Sequence, residues 1–560
     1  MTLAEALDRL GRGWRGPSVA AVLALLVALP GALALPPLDR DEARFAQASA
    51  QMLETGDFVT IHFQDAPRFK KPVGIYWLQA AAVGALSHVE NRAIWAWRVP
   101  SLLGAMLAAA ACAWGAAAFL RPGLSLAAGA MLGASFMLST EALIAATDAA
   151  LCGAVTLAMA ALARLYLASR DGTPAGWRTK ALFWAGLSLS VLLKGPIGPM
   201  VVALTLLVLC VWDRKARWLT TLGWGWGLMF LALAVGPWAM AITVATDGAF
   251  WGAALGGDMA PKLVGGQEGH GAPPGYYLLL SPLMLFPACL LAPAAAVTGW
   301  KTRARPAVRF ALCWLIPSWL VFEIVPTKLI HYTLPLLGAA AWLMAAALAE
   351  PLTRRTRVAG GVLLVIVAVI LAVAGPLAVA RLQAPRAMVW AILSAALFLG
   401  AGACGAILLA KGSAMRAVLV GGALAVVAHG VLTAAVAPAL TPLWLSSRAA
   451  AALSKAGASP RQGVAEGPVT VAGYEEPSLV FALGTSTELG DGADAAAAIA
   501  EDRPAIVESR QDGAFRRALI DDGARARLAG TVTGLDYSNN RRDTLRIYRP
   551  LDEAANGQAP

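Results

Sequence analysis

Charged residues stand at the edges of long apolar runs, where charge is expensive, and these are the residues that could do chemistry. Asp41 lies in "LDRDEARF". Asp148 lies in "LIAATDAALCGA", at the mouth of an apolar run, where a carboxylate costs up to about 2.5–3.5 kcal/mol if it lies deep. Arg68, Lys70 and Lys71 form "RFKKP", and Lys194 is the one charge in "LLKGPIGP". Lys328, His331 and Tyr332 share "VPTKLIHYTLP", while His270 and Tyr276 share "EGHGAPPGYY". A carboxylate can act as a base or hold an amine or hydroxyl. Lysines beside a proline-fixed backbone can hold an anion and stabilise charge developing on a leaving group. Each residue also has a plainer reading: solvation for Asp41, an N-cap for Asp148, lipid-phosphate contact for "RFKKP", snorkelling for Lys194 and an aromatic belt for Tyr332. No P-loop, dinucleotide fingerprint, "GxSxG" or HExxH occurs, so any energy-rich substrate must arrive already activated.

The stretch 39–77 must position several of these groups. Its start reads as a helix over 39–53, with Asp39 and Glu42 in a capping-box arrangement. Arg44 lies on the same helix. Ala43, Ala46, Ala50 and Leu53 share one face, and Asp41 points roughly 200° away from it. Gly56-Asp57 ends the helix, 58–63 is extended, and the basic turn must stop before Pro72. A second helix begins at Val73, and its aromatic and small residues suit the membrane interface.

Of the 560 residues, 58% are hydrophobic and 14% charged, against about 25% charged in a soluble domain. The fold class is therefore an α-helical polytopic membrane protein. Roughly thirteen spans are expected from the length of apolar runs, near 17–36, 98–119, 123–140, 148–168, 181–194, 196–212, 219–244, 276–297, 308–325, 329–349, 358–379, 388–410 and 416–437. The net charge of +11 concentrates in alternate loops and reads as a topology signal rather than as nucleic-acid binding. The basic loops are then cytoplasmic, with the N-terminus inside and the C-terminus outside. The six cysteines sit in apolar runs without metal-ligand spacing. From about residue 445 polar composition returns, and strands at "PVTVAGYEE" and "RPAIVES", helices at "PSLVFALG" and "GAFRRALIDDGARARL", and a hairpin closed by Asn539-Asn540 form a small α/β domain. The division is 1–444 for the transmembrane unit, including an external loop over 39–89, and 445–560 for the soluble α/β domain.

Together, "LDRDEARFAQASAQMLETGDFVT", "RFKKPVGIYW", "ATDAAL", "LLKGPIG", "KLIHYTLP" and "GYEEPSLVF" resemble, in order and placement, the GT-C-fold glycosyltransferases of the protein-mannosyltransferase superfamily. The nearest branch is that of the bacterial 4-amino-4-deoxy-L-arabinose (lipid A) transferases. The resemblance implies thirteen spans in the inner membrane, a periplasmic C-terminal domain, an undecaprenyl-phosphate-linked aminosugar donor and a lipid A phosphate acceptor. It implies single displacement with inversion. It makes Asp41, Asp148 and Lys71 the catalytic residues, and places Arg44, Arg68, Lys70, Lys194, Lys328, His331, Tyr332, His270 and Tyr276 around the donor phosphate or substrate. The family has Glu where this chain has Lys70, which leaves the metal ligands unknown; no cofactor is required by the residues, and a divalent cation is left open. Two other readings stand beside it: transfer of another polyprenyl-linked sugar to a protein or glycan hydroxyl, and a lipid-linked sugar transporter.

Overall fold

The computed structural model describes residues 2–173, 176–266, 270–460 and 468–551. Each of the thirteen expected spans coincides with a helix or a broken helix. Among the described residues, nine helices are long and apolar enough to cross a membrane, and Tyr276–Met284 with Ala288–Lys301 makes a tenth, bent by 114°. The others are shorter or interrupted: Pro122–Gly133 is followed by the separate turn Phe136–Glu141, Ile197–Asp213 has 17 residues, and Trp177–Lys194 carries charge at both ends. The spans expected at 181–194 and 196–212 are separate helices, Trp177–Lys194 and Ile197–Asp213, with Gly195 at φ 58° between them.

Small residues set the helix spacing. A Cβ on Gly104 would lie 2.5 Å from the Ala150 Cα, and one on Gly153 would lie 2.5 Å from the Gly104 carbonyl oxygen. The helices Ile94–Ala116 and Asp148–Arg170 therefore cross almost backbone to backbone, the small-residue mode of packing in membranes. That crossing fixes Asp148, the first residue of its helix. At the far end of the same helix, Arg170 pairs with Asp213, which also pairs with Arg309. The 23 residues between these ends span about 34 Å at about 1.5 Å per residue, a bilayer's hydrocarbon thickness. The basic ends of three helices thus gather on one side, and Asp148 and Lys194 stand on the other.

The helix in the 39–77 stretch runs Asp41–Thr55, two residues later than expected, and Gly56 ends it at φ 75°. The expected capping box does not form. Arg40, at φ 60°, is the N-cap residue and makes no side-chain cap. Asp39 instead accepts a hydrogen bond from Ser478 Oγ, and Glu42 turns inward to Arg98. Both carboxylates have stronger partners than a helix terminus: one meets the C-terminal layer and the other a buried guanidinium. A short hairpin, His62–Phe63 with Ala66–Pro67, leads into the basic turn. The next helix, Gly74–Leu86, begins against the end of Trp177–Lys194: a Cβ on Gly74 would come within 2.7 Å of the Leu192 carbonyl oxygen. That close approach brings the Lys71 turn beside Lys194.

The C-terminal sheet has the order Glu488–Gly490, Thr470–Ala472, Ala505–Glu508, Arg541–Pro550, Ala526–Asp536. The first three strands are parallel and the last two antiparallel to their neighbours. The expected strands, helices and hairpin are present, except that the helix expected through "GARARL" stops at Asp521 and Ala526 begins the hairpin's first strand. The Glu488–Gly490 strand and the Gly492–Ala500 helix were not expected from the sequence, where the latter reads only as an alanine run; Asp491 caps it in a capping box with Asp494. This layer rests on the Asp41–Thr55 helix: Phe481 packs edge-on to Trp97 at 5.1 Å, and Tyr537 Oη accepts the Asp39 N–H at 2.6 Å.

Candidate active site

A buried ion pair holds the frame. Arg98 donates from Nε and Nη2 to the two Glu42 carboxylate oxygens at 2.8 Å each, and both side chains are fully buried. Arg98 also donates to the carbonyls of Ala32, Leu35 and Pro36 at 2.7–3.0 Å. Glu42 further accepts the Leu38 and Ala145 N–H groups at 2.8 and 2.7 Å. One network thus ties the end of the Arg15–Ala34 helix, the start of the Asp41 helix and the turn leading into Asp148. Every donor and acceptor is satisfied, as a buried charge pair requires. Sequence reasoning did not single out Arg98, although a lone arginine in "WAWRVPSLL" beside an apolar run carries the signal.

Asp41 is exposed at the first position of its helix. In electrostatic range of it is the buried Tyr76, whose hydroxyl also feels Arg68 and Asp258. Tyr76 Oη and Arg68 Nε are both buried, and the two side chains interact with each other. The Arg68 guanidinium lies over the Phe45 ring at 5.2 Å. Arg44 is half-buried one turn beyond Asp41, and Lys70 is exposed at the tip of the turn.

Lys71 Nζ donates to Asp258 Oδ2 at 2.9 Å, and Lys262 Nζ to Asp258 Oδ1 at 2.7 Å. Burial is the largest influence on Lys71 and pushes its ammonium down to about 8; Lys194 and Lys262 add to the fall, and Asp258 opposes it. Burial alone would raise the Asp258 carboxyl, but the Lys71 and Lys262 ammoniums hold it below the usual carboxylate range. Neither Asp258 nor Lys262 was expected at the site: in "LGGDMAPK" both look like ordinary loop charges.

Deeper in, Lys194 Nζ donates to Asp148 Oδ1 at 2.5 Å and sits 5.1 Å from the centre of the Tyr332 ring. Thr147 Oγ1 donates to Asp148 Oδ2 at 3.2 Å. His331 places Nδ1 3.3 Å from Glu141 and Nε2 3.8 Å from Asp148. The Tyr332 hydroxyl lies in the combined field of Lys194, Lys262, Asp148 and Asp258, so the two lysine clusters face one region.

The structure therefore brings Asp41, Arg68, Lys71, Asp148, Lys194, His331 and Tyr332 together. Lys328, His270 and Tyr276 gather elsewhere. Lys328 Nζ is spent on the carbonyls of Phe322, Glu323 and Val325 at 2.7–3.1 Å, closing a helix C-terminus. His270 is exposed, and its carbonyl accepts the Lys328 N–H at 2.8 Å. Tyr276 packs edge-on to Tyr277 at 5.1 Å.

Glu141, Asp148 and His331 offer ligand atoms within 4.8 Å of one another. Asp148 already carries the Lys194 ammonium at 2.5 Å, and a divalent cation at that oxygen would meet like charge at contact distance. These residues do not fit a metal ion without expelling Lys194, and no chemical step is assigned to one.

The bundle, the bent pair Tyr276–Met284 and Ala288–Lys301, and the charged mouth are the features of a GT-C-type membrane fold. The crystal structure of ArnT from Cupriavidus metallidurans bound to undecaprenyl phosphate superposes with a TM-score of 0.76 at 19% identity, covering 94% of this chain and 96% of that one. The apo oligosaccharyltransferase of Archaeoglobus fulgidus matches at 0.50 with 11% identity, covering 88% of this chain and 69% of that one. Residues 37–250, which hold Asp41, Lys71, Asp148 and Lys194, match the Dolichyl-phosphate-mannose-protein mannosyltransferase family. The undecaprenyl phosphate-alpha-4-amino-4-deoxy-L-arabinose arabinosyl transferases of Pseudomonas paraeruginosa and Pectobacterium carotovorum are 30% and 28% identical, over 56% and 55% of this chain and 56% and 54% of theirs. The chain thus spans about half the length of the curated relatives it matches.

Proposed function

We propose that this chain moves 4-amino-4-deoxy-L-arabinose from undecaprenyl phosphate to a phosphate of lipid A on the outer face of the bacterial inner membrane. The observation that carries the reading is the convergence of Lys71, Lys194 and Tyr332 on one region beside Asp41 and Asp148. A polyprenyl phosphate is an anionic leaving group. Lys71, Lys194 and the Tyr332 hydroxyl hold it and stabilise the charge that grows as the glycosidic bond breaks, a role worth about 10²–10³ in rate per donor. Asp41, exposed at the mouth, positions the donor amine or the acceptor. An anionic phosphate acceptor needs little base catalysis, so positioning is its role here. In this reading 1–444 forms the catalytic membrane unit, with its N-terminus cytoplasmic, and 445–560 a periplasmic layer that braces the Asp41 helix.

Mass spectrometry of lipid A from cells with the protein, without it, and with Asp41→Asn or Asp148→Asn tests this. An added pentosamine only with the wild-type chain supports the reading. Unmodified lipid A in every strain, with a sugar lost from a protein or glycan instead, moves the acceptor to a hydroxyl.

A further inference from the structure

The Asp258 carboxylate bridges two lysines, one oxygen to each, at 2.9 and 2.7 Å. A phosphate monoester presents oxygens of similar spacing and the same charge sign. Both lysine side chains are largely covered, at 21% and 27% exposure, and Asp258 more so at 12%. A covered ammonium needs an anion, and in this state Asp258 supplies it. We infer that Lys262 is a second phosphate-binding lysine of the donor site, and that Asp258 holds the place of the phosphate until the donor displaces it. This rests on the assignment of Lys71 to the donor phosphate.

Local charge favours the displacement. Around the site Lys71, Lys262, Lys194 and Arg68 face Asp258, Asp148, Asp41 and Glu141, with His331 between the last and Asp148. The Asp258 carboxylate already lies between Lys71 and Lys262, so a phosphate entering beside it would meet like charge at contact distance, which is unfavourable in a partly covered site. Moving Asp258 away returns two lysines to the incoming anion. The backbone permits this. Asp258 lies in the π-helical turn Gly252–Met259, a geometry frequent at functional sites. Gly256 and Gly257 precede it with nothing packed against either α-carbon's open side. The carboxylate can retreat without repacking a core.

The test is the affinity of the purified full chain for undecaprenyl phosphate in lipid nanodiscs. The variants are Lys71→Ala, Lys262→Ala, Lys262→Arg and Asp258→Asn. Lys262→Ala is expected to weaken binding about tenfold or more, as loss of a charge-assisted hydrogen bond does, with Lys262→Arg close to wild type. Asp258→Asn is expected to tighten binding about tenfold, because the internal competitor is gone. Unchanged or weaker binding by Asp258→Asn, alongside weakened binding by Lys71→Ala, overturns the inference and makes Asp258 only a positioning residue for Lys71. Wild-type affinity in Lys71→Ala instead removes the assignment of Lys71, and the inference with it.

Discussion

Glu42→Gln is the smallest change that reaches both carboxylates of the proposed site, Asp41 and Asp148, without touching either. The two Glu42 oxygens each accept two donors: Arg98 Nε and the Ala145 N–H on one, Arg98 Nη2 and the Leu38 N–H on the other. A glutamine amide replaces one oxygen by an NH2 group, so two of these four bonds are lost and donors face donors. Arg98 keeps its charge, fully buried, with three backbone carbonyls and half of its former partner. Breaking a buried pair from one side costs about 3–5 kcal/mol. The Ala145 contact is three residues from Asp148, and Glu42 adjoins Asp41, so the same break loosens both. A misplacement of about 1 Å lowers a rate by about 10²-fold. Thermal unfolding in detergent and turnover per folded molecule are measured together. The expected result is a lowered melting temperature with activity reduced about 10²-fold on the protein that remains folded. Arg98→Met with Glu42→Met removes both charges but leaves three carbonyls and two N–H groups unpaired, so it should regain only part of the stability, and none of the turnover. Wild-type melting and turnover in Glu42→Gln would refute the claim that this pair is the frame of the site.

Lys71 must be protonated to bind phosphate, and its ammonium sits near 8 among Asp258, Lys262 and Lys194; undecaprenyl phosphate affinity is therefore expected to fall as pH rises through 8, by up to about tenfold per unit, and Lys71→Arg should hold its affinity to higher pH. Asp148→Asn strands the Lys194 ammonium, so it should lower the melting temperature, and adding Lys194→Met should restore stability while activity stays lost. Burial, opposed by Ser478 and reinforced by Asp536, raises Asp39 to about 6; burial, Asp39 and Asp536 also raise Glu476, with Arg40 the cation facing them and Tyr474 and Tyr537 alongside. Because both folded values lie above the unfolded ones, this contact stabilises fully below about pH 4 and loses that contribution as pH rises through 6 and beyond; Glu476→Gln is expected to flatten the fall in melting temperature between about pH 5 and 8.

The helices were legible because apolar runs of bilayer length leave few alternatives, and Asp148 and Lys194 stood out as lone charges in such runs. Their pairing was not legible: 46 residues separate them, and only the close Gly104–Gly153 crossing and the approach of Gly74 to Leu192 decide which ends meet. The capping box at Asp39 and Glu42 misled because local pattern carries no word of Ser478 or Arg98, each far away in the chain. Lys328 misled in another way. It lies in the right motif, but its ammonium is consumed by three carbonyls of its own chain neighbours.

Three carboxylate–cation pairs now stand near one another, and saturation separates frame from site. Arg98 and Glu42 are both wholly buried, and their remaining donors and acceptors are all spent on backbone groups, so nothing is left to offer a ligand. Lys71 with Asp258 is partly exposed and Lys194 with Asp148 more nearly covered, but each ammonium retains donors beyond its one carboxylate. A saturated pair resists exchange, because removing either partner leaves an uncompensated buried charge. An unsaturated pair at a mouth can trade its internal anion for an external one at little cost. A sequence shows each charge singly. The number of partners each finds in the fold is what sorts structural charge from charge available for chemistry.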